Sequence, residues 1–309
     1  MPRFLITLML LATVAAVMAA CSPNDSTNNE PPAGLDPVVL GVVQDDRITE
    51  ASGMIASRRN PGWLWVHNDS GDIARLYAIS AYGDSLAELQ LDGIDARDWE
   101  DIAIGPGPGG TDDYLYVGDI GDNDNAYKNV VIYRFREPEA EEFEPGIPLL
   151  IEDVERFDFM YPESPRDAET LLVDPFTSDM YIMTKRLWPV QVYRAVPIHT
   201  DRPQILQHVA DITGPPIAAG DISRDGRHVI VKTYDAILHW YREDDMSIPD
   251  LFAQPPDTLP YVTEPQGEAL AFNLSGTGYY TVSEETRDIA AAVSFYPFNP
   301  DTHDGHVTP

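Results

Sequence analysis

The sequence predicts an all-β fold, most simply a β-propeller of five four-stranded blades. Helical periodicity is scarce, and short alternating apolar runs are separated by Gly, Pro, Asp and Asn throughout the chain. One strand pattern also recurs at intervals of roughly 50 to 70 residues. Four antiparallel strands in each unit of this length are typical of a propeller blade.

Each repeat combines a small or acidic residue, alternating apolar residues, a turn and an aromatic-rich strand. The five repeats begin with "SGMIAS…WLWVHND", "EDIAIG…YLYVGDI", "ETLLVD…MYIMTK", "GDISRDGRHVIVKTY" and "EALAFN…GYYTVSE". The third strands are "ARLYAIS", "VVIYRF", "VQVYRA", "AILHWY" and "AAVSFYP". More variable fourth strands are predicted in four units at "SLAELQLD", "LLIEDVERFDF", "ILQHVAD" and "DLFAQ".

The ends of the chain predict how the ring closes. The fifth unit lacks a fourth strand, whereas "PVVLGVVQ" at residues 37–44 precedes the first unit without a partner. We expect this strand to pair with residues 292–297, which leaves no free sheet edge between the termini. The long insert at residues 137–159 keeps a sixth blade open as an alternative.

The first 35 residues predict export and anchoring. Residues 1–20 have a positive start, a short apolar run and small residues before Cys21, the only cysteine in the chain. This pattern resembles a bacterial lipoprotein signal, with lipidation of Cys21; a plain signal peptide cleaved nearby is the alternative. Residues 21–35 predict a disordered tether, residues 36–299 the propeller and residues 300–309 a disordered tail. We expect an extracytoplasmic protein held in the cell envelope, in the outer membrane if the cell is Gram-negative.

The charge balance excludes one class of partner. The chain has 51 acidic and 20 basic residues and a net charge of −31. Such a surface repels phosphate backbones, so we expect no nucleic-acid binding, whereas cations are attracted. The remaining predicted partners are the membrane, through the lipid, and a small anionic ligand or an envelope protein. We expect a monomer.

A ring of acidic residues is predicted at the top of the channel, where the innermost strands begin. Aligning the five repeats places Ser52, Glu100, Glu169, Gly220 and Glu268 in one register, with Asp221 replacing the side chain that Gly220 lacks. Carboxylates that meet at one axis repel one another, and a hard cation relieves that repulsion. The ring therefore predicts bound Ca²⁺, with Mg²⁺ as second choice. The alternative is that these residues bind backbone N–H groups at the ends of strands.

The loops between second and third strands are predicted on the same face. The acidic tips "HNDSGD" and "GDIGDNDN" supply His67, Asp69, Asp72, Asp119, Asp122 and Asn123. His67 could act there as a general base. The alternative for the acidic residues is ordinary Asx-turn chemistry.

Cationic residues of the later loops predict an anion-binding function on this face. The candidates are Lys185, Arg186, Lys232 and Arg287. Two of the three lysines in the chain, Lys185 and Lys232, are aligned at equivalent positions of neighbouring blades. Salt bridges to the glutamates of the ring are the alternative for both lysines.

Several motifs resemble those of bacterial extracytoplasmic β-propeller proteins that carry a "GDIGDN" motif. The resemblance rests on "DWEDIAI", "YLYVGDIGDN", "DAETLLVDP", "GDISRDGR" and "PQGEALAF" and implies little about function. A more distant likeness of architecture is to calcium-activated nucleotidases, five-bladed propellers that hold Ca²⁺ in the channel.

The sequence leaves three functions open. The first is a lipid-anchored propeller that binds a ligand or partner on its top face, with Ca²⁺ in the channel. The second is a calcium-dependent hydrolase of a phosphorylated substrate. The third is an envelope interaction scaffold. The chain has no G-x-S-x-G, H-E-x-x-H or P-loop motif that would select a catalytic mechanism.

Overall fold

A computed structural model describes residues 36–286 and 289–300 and shows five antiparallel blades around one channel. The predicted five-bladed propeller is therefore confirmed. The predicted signal peptide, Cys21, the predicted tether, Arg287 and residues 301–309 lie outside the described residues. In the part of the chain that is described, no helix has the length and apolar character needed to span a membrane.

The strands follow the repeat order. The chain starts with β1 (Val38–Val42). Blade 1 contains β2 (Ala51–Ala56), β3 (Trp63–Asn68), β4 (Arg75–Ser80) and β5 (Ser85–Leu91). Blade 2 contains β6 (Trp99–Pro106), β7 (Asp113–Asp119) and β8 (Val130–Arg136); after β9 (Leu149–Ile151), β10 (Glu155–Met160) completes it.

The later blades keep the same order. Blade 3 contains β11 (Ala168–Val173), β12 (Met180–Thr184) and β13 (Val190–Ala195), then, after β14 (Gln204–Ile205), β15 (Gln207–Ile212). Blade 4 contains β16 (Ile217–Ile222), β17 (His228–Thr233), β18 (Ile237–Tyr241) and, after helix α1 (Ile248–Phe252), β19 (Asp257–Leu259). Blade 5 contains β20 (Gly267–Phe272), β21 (Gly278–Ser283) and β22 (Ala292–Pro297).

The ring closes as the sequence predicts, because β1 pairs antiparallel with β22 and becomes the fourth strand of blade 5. The sixth-blade alternative is wrong. The insert contains a short 3₁₀ helix (Ala140–Glu142) and β9, which extends blade 1 by parallel pairing with β5. The prediction of a fourth strand at "DLFAQ" is also wrong. The first three residues of that segment end α1, whose start is capped by the Ser247 hydroxyl accepting the Asp250 N–H, so β19 is the fourth strand.

The innermost strands β2, β6, β11, β16 and β20 lie side by side around the channel and are almost wholly buried. Each has an irregular register with its second strand near its start. One extra residue is thereby displaced from the ladder at the channel mouth, which is where bulges re-aim side chains. We call this end of the channel, where the loops after the second strands also emerge, the top face.

Candidate functional site

The displaced residues form the predicted ring in four of five blades. They are Ser52, Glu100, Glu169, Ala218 and Glu268. The alignment of blade 4 at Gly220 is wrong by two residues, because the bulge lies between Ile217 and Ala219. The fourth blade therefore contributes only a methyl group to this ring.

A second ring is formed by the residue that follows each second strand. The strand pairing places Asp69, Ile120, Lys185, Tyr234 and Glu284 at equivalent positions. The predicted equivalence of Lys185 with Lys232 is wrong. Lys185 directly follows Thr184, whereas Lys232 precedes Thr233, the counterpart of Thr184 in blade 4.

Carboxylates from both rings converge at the top of the channel. Three groups of three have oxygens within 4.8 Å of one another, and shared members link the groups. The groups are Asp69–Asp98–Glu100, Asp69–Glu268–Glu284 and Glu100–Asp167–Glu169. We call these seven residues the carboxylate cluster. All but Asp69, which is partly exposed, are buried.

Two cations among the described residues contact this cluster directly: Arg186, which pairs with Asp167, and Lys185. Lys185 Nζ lies 2.5 Å from Glu169 Oε1 and 3.7 Å from Glu268 Oε1. The Tyr234 hydroxyl donates to Glu268 Oε1 at 2.6 Å. Burial lowers the pKa of Lys185, but the charges of Glu169 and Glu268 outweigh burial and leave that pKa above its usual value. The salt-bridge alternative for Lys185 is thus observed, and Lys185 separates Glu169 from Glu268.

One carboxylate oxygen of the cluster has no hydrogen-bond donor in the described part of the chain, and burial disfavours the charge of several members. Glu169 Oε2 is buried and has no partner among the described residues. Burial, opposed by Lys185, raises the pKa of Glu169 to about 7. Burial and then the charge of Glu169 raise the pKa of Glu100 well above its usual value. Burial and the neighbouring Glu268 raise the pKa of Glu284 to about 8. Such a set fits a hard cation, which supplies the missing positive charge.

A glycine of the "GDIGDN" motif makes room for this cluster. A Cβ at Gly121 would lie 2.1 Å from Glu100 Oε1 and 2.6 Å from Asp98 Oδ2. Any side chain there would fill the space beside the two carboxylates. The motif therefore contributes space to the site, in addition to its aspartates.

The other acidic residues of that motif form the turn. Asp119 pairs with Arg97 at 2.9 Å, and both carboxylate oxygens of Asp122 accept backbone N–H groups of the same loop. Asn123 accepts a hydrogen bond from Arg186. The structure brings none of these three side chains into the carboxylate cluster, and the turn alternative describes their contacts.

The acidic residues of the first loop have two different roles, one in the turn and one in the carboxylate cluster. Asp72 accepts hydrogen bonds from Arg75 and Asn68, whereas Asp69 belongs to the carboxylate cluster. His67 is fully buried, and its Nδ1–H donates to the Asn68 carbonyl at 2.8 Å. Burial lowers the pKa of His67 to about 4, so its ring is neutral at pH 7 and has no exposed nitrogen on the top face.

The two other anion-binding candidates that the structure describes, Arg186 and Lys232, each pair with a carboxylate. Arg186 pairs with Asp167 at 2.5 Å. Lys232 is fully buried, donates to the Gly267 carbonyl at 2.5 Å and lies 3.5 Å from Glu264 rather than beside the ring glutamates. Burial lowers the pKa of Lys232 to about 8. The structure therefore separates Lys232 from Lys185 and Arg186.

Two buried aspartates lie deeper in the channel wall. Asp221 accepts the N–H groups of Ile222 at 2.7 Å and Phe272 at 2.8 Å, which joins blade 4 to blade 5. Asp101 does the same for Ile102 and Leu171, joining blade 2 to blade 3. The structure does not place Asp221 in the carboxylate cluster. The Ser52 hydroxyl, for its part, donates to the Glu100 carbonyl at 2.8 Å.

Sequence reasoning missed Asp98 and Asp167. Each stands two residues before a ring glutamate, in "DWE" and "DAE". The D-x-E spacing, repeated in two blades, was the sequence signal for these two aspartates. The bulge directs both carboxylates of each D-x-E pair toward the mouth of the channel.

Comparisons with known proteins define the class no further than the fold. No family model matches the chain, and a search of curated proteins found no match. A solved luciferin-regenerating enzyme is similar with a TM-score of 0.45 and 12% identity, over 86% of this chain and 96% of that one. A likeness at this level carries no argument about function. The strand pairing and the cluster define a five-bladed β-propeller with a channel mouth lined by carboxylates.

Proposed function

We propose that this chain is a cation-dependent binding propeller of the cell envelope. A divalent cation, Ca²⁺ before Mg²⁺, is held at the channel mouth, and a ligand or partner binds on the top face. The observation that carries this proposal is the carboxylate cluster, whose seven acidic members contact two cations, Lys185 and Arg186, among the described residues.

The group Asp69–Asp98–Glu100 is the best position for the ion. Neither residue that Lys185 contacts belongs to it, so the ammonium does not occupy this position. Calcium takes six to eight oxygen ligands, about as many as three carboxylates and water provide. Asp69 is partly exposed, so the ion would keep a side open to water or to a ligand.

The test is the calcium dependence of stability. An excess of Ca²⁺ about a hundredfold over Kd is expected to stabilise the wild-type protein by about 2.7 kcal/mol relative to chelator. Glu100→Gln should remove most of that effect, because Glu100 belongs to two of the three carboxylate groups. The matched control is Glu144→Gln, at an exposed glutamate outside the cluster, which should respond as the wild type does. A wild-type stability that is the same in Ca²⁺ and in chelator would contradict the proposal.

The two alternatives have less support. Hydrolysis of a phosphorylated substrate needs several cations that can hold phosphate, and the two candidate lysines, Lys185 and Lys232, are largely buried and pair with glutamates. A pure scaffold would not need a buried cluster of carboxylates, because their burial destabilises the fold. We therefore favour the binding function over hydrolysis and over a pure scaffold.

The envelope part of the proposal rests on the sequence around Cys21. Cys21→Ala is expected to abolish lipid labelling and to release the protein from membranes. Continued labelling of the Cys21→Ala protein would contradict the anchor.

A further inference from the structure

A cavity on the top face lies beside the carboxylate cluster, between the loops of blades 2 and 3. Its volume is about 290 Å³, and its lining includes Asn125, Ser164, Arg166, Asp167 and Arg186. Asp167 also belongs to the carboxylate cluster, so the cavity and the proposed cation site share a wall. The cavity thus adjoins the mouth of the channel.

Two arginines line this cavity, and one has an unused donor. Arg166 Nε is buried with no hydrogen-bond partner among the described residues. Arg166 Nη1 donates to Ser164, and Nη2 lies 3.4 Å from Glu163, whose side chain is 81% exposed. The guanidinium of Arg166 therefore has no close, buried carboxylate to neutralise it.

The second arginine is fixed by its neighbours. Arg186 donates through Nε to Asp167 and through Nη2 to Asn123, and its side chain remains 53% exposed. These two contacts hold the guanidinium at the edge of the cavity. Guanidinium groups are the side chains best suited to carboxylates and phosphates, because their N–H donors match the oxygens of these anions.

We propose that this cavity is an anion subsite, and that the ligand of the top face carries a carboxylate or phosphate group bound by Arg166 and Arg186. This inference rests on the proposed function, because the adjacent carboxylates repel an anion until a cation neutralises them. Cation and anion should therefore bind with positive coupling, and by linkage each raises the affinity of the other.

The experiment titrates methyl phosphate and, in a separate arm, acetate into the calcium-loaded protein by calorimetry. The two arms distinguish phosphate from carboxylate recognition. Arg166→Gln is expected to weaken binding of the preferred anion about tenfold or more, through loss of a charge-assisted contact. Arg166→Lys should recover part of the affinity, because it restores the charge but not the planar donors. The control is Arg156→Gln, at a half-exposed arginine paired with Asp158 in blade 2, which should bind as the wild type does.

The calcium response of each variant shows whether it is folded and separates the two proposals. A calcium effect that persists in Arg166→Gln while anion affinity falls supports the subsite. Equal anion affinity in Arg166→Gln and wild type, or no binding of either anion to the calcium-loaded protein, overturns it while the proposed function stands. If calcium has no effect, the proposed function fails by itself. Titration in chelator then decides the subsite, which survives only if the anion binds and Arg166→Gln weakens it.

Discussion

The channel has two levels of buried carboxylates that differ in their donors. At the deep level, both oxygens of Asp101 and of Asp221 accept backbone N–H groups, one from the same strand and one from the next blade. At the mouth, Glu169 Oε2 has no donor among the described residues, and Oε1 has only Lys185. At the deep level a buried carboxylate therefore cross-links neighbouring blades. At the mouth a buried carboxylate lacks the donors or positive charge that would balance it.

The pKa alone does not separate these levels. Burial raises the pKa of Asp221 to about 7, and burial raises the pKa of Glu169 to about 7 as well. What differs is the number of donors that each carboxylate receives. A buried polar group with partners stabilises a fold, whereas one without partners costs stability and points to a ligand. Counting donors is therefore the better guide to function here.

The two buried lysines show the same contrast. Lys232 is enclosed between blades 4 and 5, where it binds the Gly267 carbonyl and the Tyr261 hydroxyl. A Cβ at Gly267 would lie 2.4 Å from Lys232 Nζ, so the glycine is needed for this close approach. Lys185, by comparison, spans two carboxylates of the mouth. The first lysine fixes the packing of two blades, and the second partly neutralises a site.

The largest expected effect is at the deep level. Asp221→Ala removes two hydrogen bonds and leaves the N–H groups of Ile222 and Phe272 buried without their acceptor. We expect a loss of unfolding free energy on the order of 3 kcal/mol, equally in calcium and in chelator. Urea unfolding in both buffers measures this loss. Glu100→Gln is the matched variant at the mouth, where the loss should appear in calcium only. A calcium-dependent loss in Asp221→Ala would instead place Asp221 in the cation site and erase the distinction between the levels.

The five-bladed ring could be predicted because each blade repeats one local pattern, and the free strand at the start of the chain had one sheet edge to fill. The glutamates of the ring were found because "EDIAI", "ETLLV" and "EALAF" share their alternation. The alignment of blade 4 was wrong because Asp221, the acidic residue of "AAGDIS", lies three positions after the bulge. The bulge itself was invisible in the sequence, since it depends on pairing with the second strand.

The lysine pair and the aspartates of the cluster show what sequence spacing misses. Lys185 and Lys232 are close in the alignment, but a shift of two residues across Thr184 and Thr233 sends them to different environments. Asp98 lies before β6 and outside the alternating pattern. Its place in the cluster depends on the path of the chain into the bulge, which alternation does not encode.

The smaller expected effect is the pH dependence that Glu169 contributes at the mouth. Glu169 releases its proton near its usual pKa of 4.5 in the unfolded chain and at about 7 in the folded protein. Between those values the folded state binds more protons, so stability falls as pH rises. From about pH 6.5 to about pH 8, Glu169 should account for a loss on the order of 1 kcal/mol in chelator. His67 opposes this trend, because burial lowers its pKa to about 4 while the unfolded side chain titrates near 6.5 and still loses protons in this window. Its share should offset roughly 0.4 kcal/mol of the loss.

Calcium should reverse that trend, because the ion binds the ionised carboxylates and its affinity rises as they lose protons. Urea unfolding at both pH values, with calcium and with chelator, measures the two slopes. Glu169→Gln cannot ionise at this position, so the slope in chelator should become shallower in that variant. Asp221→Asn is the matched variant at the deep level. Asp221 accepts two backbone N–H groups without an ion, so the change in slope that this variant causes should be the same in calcium and in chelator. If Glu169→Gln leaves the slope in chelator unchanged, then Glu169 does not carry the proton, and this carboxylate of the mouth does not lack positive charge as proposed.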